Sequence, residues 1–308
     1  MINKKFLQGF AIGIMSVAAL EVFNKAVNEK AKKYKLNVND GYFYTWKEGS
    51  LHYTVKGEGK PVLLIHDLNV LSSGYEWNKI ENELAKNHKV YTLDLLGCGL
   101  SDKPSITYTN YTFVLMIKDF CNDIIKEKCD VISSNDSTAI VVMADNMEDI
   151  FNKKILINPA EFDLFAMQTT RLNLIEKNVL YLPIIGTTVY NIYTAERNVK
   201  LIVDSYINNK AELENLTEAY YEASHTNNSR GRYLYACKKC SYLGVDIRDA
   251  ISEAKDVYIV KGDDTYKSII NEYHDINPNI KVNVIGGSKL LPHIENVNET
   301  LDAINNII

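Results

Sequence analysis

The chain alternates between short, solidly apolar runs and longer amphipathic stretches, and that alternation sets its fold class. Val62-Leu63-Leu64-Ile65 is apolar at every position, as expected of a strand buried on both faces of a parallel sheet. Val90–Leu95, Asp130–Ser133 and Lys154–Asn158 read as further strands, and strand-like segments return at Val257–Val260 and Val282–Ile285. Helical stretches lie between them around Glu76–Lys86, Phe113–Ile125 and Ile140–Asn146, and a last one spans Val297–Ile307. Ahead of these, Tyr42–Trp46 and Leu51–Val55 alternate with period two, as a strand pair joined by Lys47-Glu48-Gly49-Ser50. Residues 161–249 break the alternation and read as consecutive helices. The pattern predicts an α/β architecture: a mostly parallel central sheet with helices on both faces and an inserted helical cap. The expected organisation is an N-terminal segment and linker at 1–35, a core made of 36–160 and 250–308, and a cap at 161–249.

The N-terminal segment has its own pattern. Lys4 and Lys5 precede a charge-free run from Phe6 to Leu20, and Glu21 and a lysine-rich stretch follow. At about 1.5 Å per residue the run is short for a hydrocarbon core of about 30 Å, even if Val22 and Phe23 extend it. It suits a signal peptide, with Ser16-Val17-Ala18 as small residues for cleavage, or a membrane anchor with Gly9 and Gly13 on one face. A helix lying on the protein's own surface is the plainer alternative. Membrane association or export through residues 6–23 is the favoured expectation, with a cytoplasmic body otherwise. Lysines on both sides of the run leave its orientation open.

Composition adds few constraints. The chain has 308 residues, 46% hydrophobic and 24% charged, which allows a sizeable core. A net charge of −5 argues against nucleic-acid binding. Five cysteines, an odd number in a long chain, make a disulfide framework unexpected. Cys237 and Cys240 form a C-x-x-C, but no second ligand pair stands nearby, so helix packing is the better reading and no metal or cofactor is expected.

Several motifs carry a family resemblance. Asp94-Leu95-Leu96-Gly97-Cys98-Gly99-Leu100-Ser101 resembles the D-x-x-G-x-G-x-S loop that follows strand four of α/β-hydrolases. Leu63-Leu64-Ile65-His66-Asp67 with Trp77 is similar to that family's strand three and its following turn, and Leu291-Pro292-His293-Ile294-Glu295 to the stretch after its catalytic histidine. The resemblance spans residues 42 to 308 in family order. It implies a nucleophile, an acid and a histidine converging at the C-terminal edge of the sheet, because a serine hydroxyl needs a base to attack at neutral pH.

The residues at those positions depart from the pattern. The nucleophile turn, G-x-S-x-G in the family, falls in Ser133-Ser134-Asn135-Asp136-Ser137-Thr138-Ala139. One register puts Ser137 at the nucleophile position, and it is the preferred one; the other puts Asn135 there and removes the nucleophile. A helix N-cap is the structural alternative for Ser137. The acid position falls on Thr265, with Asp264 beside it as a candidate acid and Glu161 as another after strand six. The histidine position falls on Leu290, which accepts no proton, and His293 would have to shift by three residues to substitute. His66, Asp67, Leu68, Asn135, Asp136, Thr138 and Leu290 are the expected pocket and oxyanion region. Asp67 stands there in place of glycine.

Three functions fit: a pseudohydrolase whose capped pocket holds a small, partly apolar ligand; an active serine hydrolase on small esters or amides with a non-standard base; or a membrane-surface interaction protein. The stretch Leu182-Pro183-Ile184-Ile185-Gly186 and the pair Tyr220-Tyr221 give the cap its apolar character.

Overall fold

A computed structural model describes residues 4–37, 39–162, 169–265 and 268–308, with side chains from residue 16 onward. Eight strands form one sheet: β1 Tyr42–Trp46, β2 Gly49–Lys56, β3 Lys60–Ile65, β4 His88–Leu93, β5 Cys129–Ser134, β6 Phe151–Ile157, β7 Val257–Gly262 and β8 Lys281–Ile285. Their spatial order is β1-β2-β4-β3-β5-β6-β7-β8. β1 pairs antiparallel with β2, and β2 with β4, while every later pairing is parallel. The α/β architecture expected from the apolar runs is therefore present.

Successive side chains of a strand point to opposite faces, so a fully apolar strand feeds two cores. Leu63 and Ile65 of β3 join one cluster with Phe113, Ile117, Ile140 and Val141 from helices Asn110–Phe120 and Ser137–Met147. Val62 and Leu64 join the other with Trp77, Leu301 and Ile304, the last two from helix Val297–Asn305. The single helix expected over Glu76–Lys86 is broken into a 3-10 turn Gly74–Trp77 and a short helix Glu81–Leu84. The tighter turn puts both Glu76 and Trp77 into the interior, where Glu76 has three hydrogen-bonding partners described below.

The Asp94 loop shows why its glycines are needed. Asp94 accepts hydrogen bonds from Gly74 N at 2.7 Å and Leu100 N at 2.9 Å, and its carboxylate lies against Gly99. Gly99 sits at φ +46, and a Cβ there would meet the Asp94 carboxyl carbon at 2.4 Å.

Between β6 and β7 come the helices Arg171–Tyr181, Ile185–Tyr193, Glu196–Tyr206, Leu213–Ser229 and Arg232–Lys239, which close over the C-terminal ends of the strands. The N-terminal helix, Lys4–Lys30, docks on them through its C-terminal half. Asn24 Nδ2 donates to Ile184 O at 3.1 Å and to Thr188 Oγ1 at 3.0 Å, and Asn191 Nδ2 donates to Asn24 Oδ1 at 3.0 Å. After the helix, the Glu222 carboxylate accepts the backbone N–H groups of Tyr34, Lys35 and Leu36 at 3.2, 2.7 and 3.2 Å. Among the described residues, no helix is long and apolar enough to cross a membrane. The side chains of residues 6–15, most of the expected anchor, lie outside the described residues.

Candidate functional site

In an open α/β sheet, loops converge where strands on either side of a central one lead off in opposite directions, and ligands bind there at the C-terminal edge. Here that point lies between β3 and β5. The turn leaving β5 carries one left-handed residue, Asn135 at φ 48, between Ser134 and the helix that begins at Ser137. Asparagine tolerates this conformation better than most residues with a Cβ. Asn135 N donates to Ile157 O at 2.9 Å, which fixes the turn to β6. Thr138 holds the other side, donating from N and Oγ1 to Asn135 O at 3.1 and 2.6 Å.

The left-handed residue of this turn is thus Asn135. Ser137 lies two residues on, buried in the first turn of the helix. Its Oγ donates to Ser134 O at 2.7 Å, with Ile65 O a longer neighbour at 3.4 Å. That is a backbone-capping geometry with no base attached.

In the region expected to serve an oxyanion, the Asp67 side chain bonds the turn. Asp136 N, the amide immediately after the turn residue, donates to Asp67 Oδ1 at 3.1 Å. Asp67 N in turn donates to Glu76 Oε2 at 3.2 Å. Glu76 also accepts from Ser134 Oγ at 3.2 Å and from Tyr220 Oη of the cap at 2.6 Å. From above, Lys238 Nζ reaches Asp136 Oδ2 at 2.8 Å and donates to Leu68 O at 2.7 Å. Burial pushes the Asp67 carboxyl up to about 7; Lys238 opposes the shift, while the nearby Asp136 and Glu76 carboxylates add to it. His66 serves the backbone: Nε2 accepts Leu95 N at 3.0 Å, which leaves Nδ1 to donate to Asp67 O at 2.7 Å.

The candidate acid and base do not join this group. Asp264 is exposed and accepts Asn208 Nδ2 at 3.3 Å, while the Thr265 hydroxyl donates to Gly262 O at 2.7 Å. Glu161 accepts Ser268 Oγ at 3.0 Å. His293 is fully buried and stacks on Trp77, ring centroids 4.5 Å apart and 26° between planes. Neither of its ring nitrogens has a hydrogen-bond partner. Burial lowers its pKa to about 3, so the ring is neutral at physiological pH. Leu290 faces the cavity, and its loop is held by Asn158, whose Nδ2 donates to Lys289 O and Leu290 O at 3.0 Å each.

A cavity of about 190 Å³ lies over the turn, lined by Asn135, Asp136, Asp67, Asn158, Glu161, Tyr206, Lys238, Thr265 and Leu290 among others. A second cavity, of about 300 Å³, lies between Asn69–Leu71 and the cap residues Tyr193, Val199, Ile202 and Tyr235, and shares Asn69 and Lys238 with the first. No histidine lines either one. Sequence reading missed Lys238, Glu76, Asn158 and Tyr206. Lys238 reaches Leu68 across 170 residues of chain, and Glu76 reaches Ser134 and Tyr220 across 58 and 144, so no local pattern announces them. Asn158 was legible as the Asn-Pro that ends β6. Among the described residues, no group of three or more His, Cys, Asp or Glu is placed to hold a metal ion.

A serine hydrolase involved in carbazole degradation superposes over 87% of this chain and 97% of its own, with a TM-score of 0.70 and 17% identity. The chain is an α/β-hydrolase-fold protein. A membrane phospholipase A described as a bacterial virulence factor superposes with a TM-score of 0.69 at 16% identity, over 99% of this chain and 98% of that one. At this coverage the match takes in the N-terminal helix as well as the α/β-hydrolase fold. A cis-3-alkyl-4-alkyloxetan-2-one decarboxylase of Shewanella oneidensis is 32% identical over 78 residues, 25% of this chain and 24% of that protein. The chain matches about a quarter of the length of such curated relatives. No family model matches it.

Proposed function

We propose that this α/β-hydrolase-fold protein is a non-hydrolytic binding protein, holding a small, partly apolar ligand in the capped cavity over Asn135. The observation that carries this reading is the hydrogen bond from Asp136 N to Asp67 Oδ1. In a working elbow that amide is half of the oxyanion hole and must be free for the developing negative charge. Here an internal carboxylate covers it. The turn residue has a carboxamide in place of a nucleophile, and a leucine stands at the proton-accepting position. Each change opposes acyl transfer, and loss of any one triad member typically costs several orders of magnitude in rate.

The lining also indicates the ligand's charge. Asp67, Asp136 and Glu161 outnumber Lys238, so a neutral or cationic ligand suits the cavity better than a carboxylate. The test is hydrolysis of p-nitrophenyl acetate and butyrate by wild type, Ser137→Ala and His293→Ala. All three are expected at the rate of buffer with an inert protein. Turnover in wild type that disappears in Ser137→Ala would overturn the proposal in favour of a serine hydrolase with an unconventional base.

A further inference from the structure

The N-terminal helix stops being covered at a definite place. Leu20, Asn24, Val27, Asn28 and Ala31 are partly or fully buried against the cap, at the spacing of one helical face. Ser16, Val17, Ala18 and Ala19 are all exposed. Four consecutive residues at about 100° each sample every side of a helix, so by this point no face is covered. The covered face of the helix ends at Leu20, the last residue of the apolar run Phe6–Leu20.

The cap fixes where this end lies. Lys30 pairs with Glu196 at 2.8 Å, and Asn24 bonds Ile184 and Thr188, so the helix runs in the same direction as Ile185–Tyr193. One further turn toward its N-terminus brings it past the cap's turn Leu182–Ile185. That turn is apolar and uncovered: Leu182 is 45% and Ile185 46% exposed, and Pro183 is exposed between them. Beside it on the helix, Val22 is 67% and Phe23 42% exposed. Ile184 holds φ 54, a strained value for a β-branched residue, and its carbonyl is one of the groups that anchor Asn24. The turn is thus fixed to the helix at that point, with its apolar side chains turned outward.

We propose that Leu182, Pro183 and Ile185, with Val22 and Phe23, form a collar that rests in the interfacial region of a lipid bilayer entered by the run Phe6–Leu20. Continuity with the charge-free run Phe6–Leu20 selects lipid as the occupant. The run alone measures about 22 Å, and extending it through Phe23 gives about 27 Å against a hydrocarbon core of about 30 Å. The collar therefore supplies apolar contact at the depth where the helix runs short. Exposed Lys25, one turn beyond, is placed for headgroups, and in the sequence Lys4 and Lys5 precede the run.

All five native cysteines are buried, so a cysteine introduced on the surface of the full chain can be labelled selectively. Leu182→Cys, Ile185→Cys and a distal control, Lys255→Cys, each carry a nitrobenzoxadiazole fluorophore and are mixed with phosphatidylethanolamine–phosphatidylglycerol vesicles, with or without brominated lipid. The expected result is co-sedimentation of all three, with a blue shift and at least twofold quenching by brominated lipid at 182 and 185 and no change at 255. Co-sedimentation with labels at 182 and 185 that stay water-exposed would overturn the collar. Failure of the full chain to bind vesicles would overturn it too. A concentration-dependent blue shift without lipid would assign the face to a second copy of the chain instead. None of these outcomes depends on whether the cavity over Asn135 is catalytic.

Discussion

Asp67 and His293 are two polar side chains whose burial opposes their ordinary protonation behaviour, and both can be read by titrating stability. For Asp67, the folded pKa of about 7 is above the unfolded value, so its contribution is full below about pH 4 and is lost as pH rises through 7. Asp67→Asn keeps an acceptor for Asp136 N while removing the buried charge. Its urea stability is expected to exceed wild type at pH 8, by on the order of 2 kcal/mol, and to match it only below about pH 4. Equal gains at both pH values would mean that ionisation of Asp67 is not the cause. For His293, the folded pKa of about 3 is depressed, so its contribution is present above about 6.5 and is lost as pH falls toward 3. His293→Phe preserves the stack on Trp77 and removes two unpartnered nitrogens. It is expected to gain about 1 kcal/mol at pH 7 and to flatten the acid limb of a thermal-melting profile. A steeper limb would place the loss of stability elsewhere.

At the scale of elements, legibility followed burial. β3 could be read because a strand covered on both faces is apolar at every residue, and β1 matched its expected bounds because its hairpin partner fixes the register. The 3-10 break at Gly74–Trp77 was not legible, since the reason for it, Glu76 bonding Ser134 and Tyr220, lies on distant segments. The elbow lies between these cases. Ser133, Asn135 and Ser137 are all polar and small enough for a tight turn, so residue type alone leaves two registers, and only the pairing of β5 with β6 as far as Ser134–Ile157 locates the left-handed residue. That geometry makes a direct prediction. Asn135→Gly is expected to change stability by only a few tenths of a kcal/mol, whereas Asn135→Val should lose about 2 kcal/mol, because a β-branched residue resists φ 48. Equal urea midpoints for the two variants would contradict the assignment of the turn.

At the scale of the whole molecule, the α/β-hydrolase fold is present, and the proposed loss of hydrolysis rests on the groups placed within it. The sheet order, the capped cavity and the glycine-rich Asp94 loop all serve to bring three strand ends together, and they do so here. What lines the cavity there includes Asn135, Leu290 and Asp67, whose carboxylate accepts Asp136 N. The fold was readable from motifs spread over the body of the chain, but the content of its site rests on contacts such as Lys238 to Asp136, which join cap to core. The most direct measurement of the central claim is intact-mass analysis of the full chain after prolonged exposure to an alkyl fluorophosphonate, with peptide mapping. The account predicts an unmodified chain, with Ser137 still bonded to the backbone of its own helix start; stoichiometric labelling of Ser137 would contradict it.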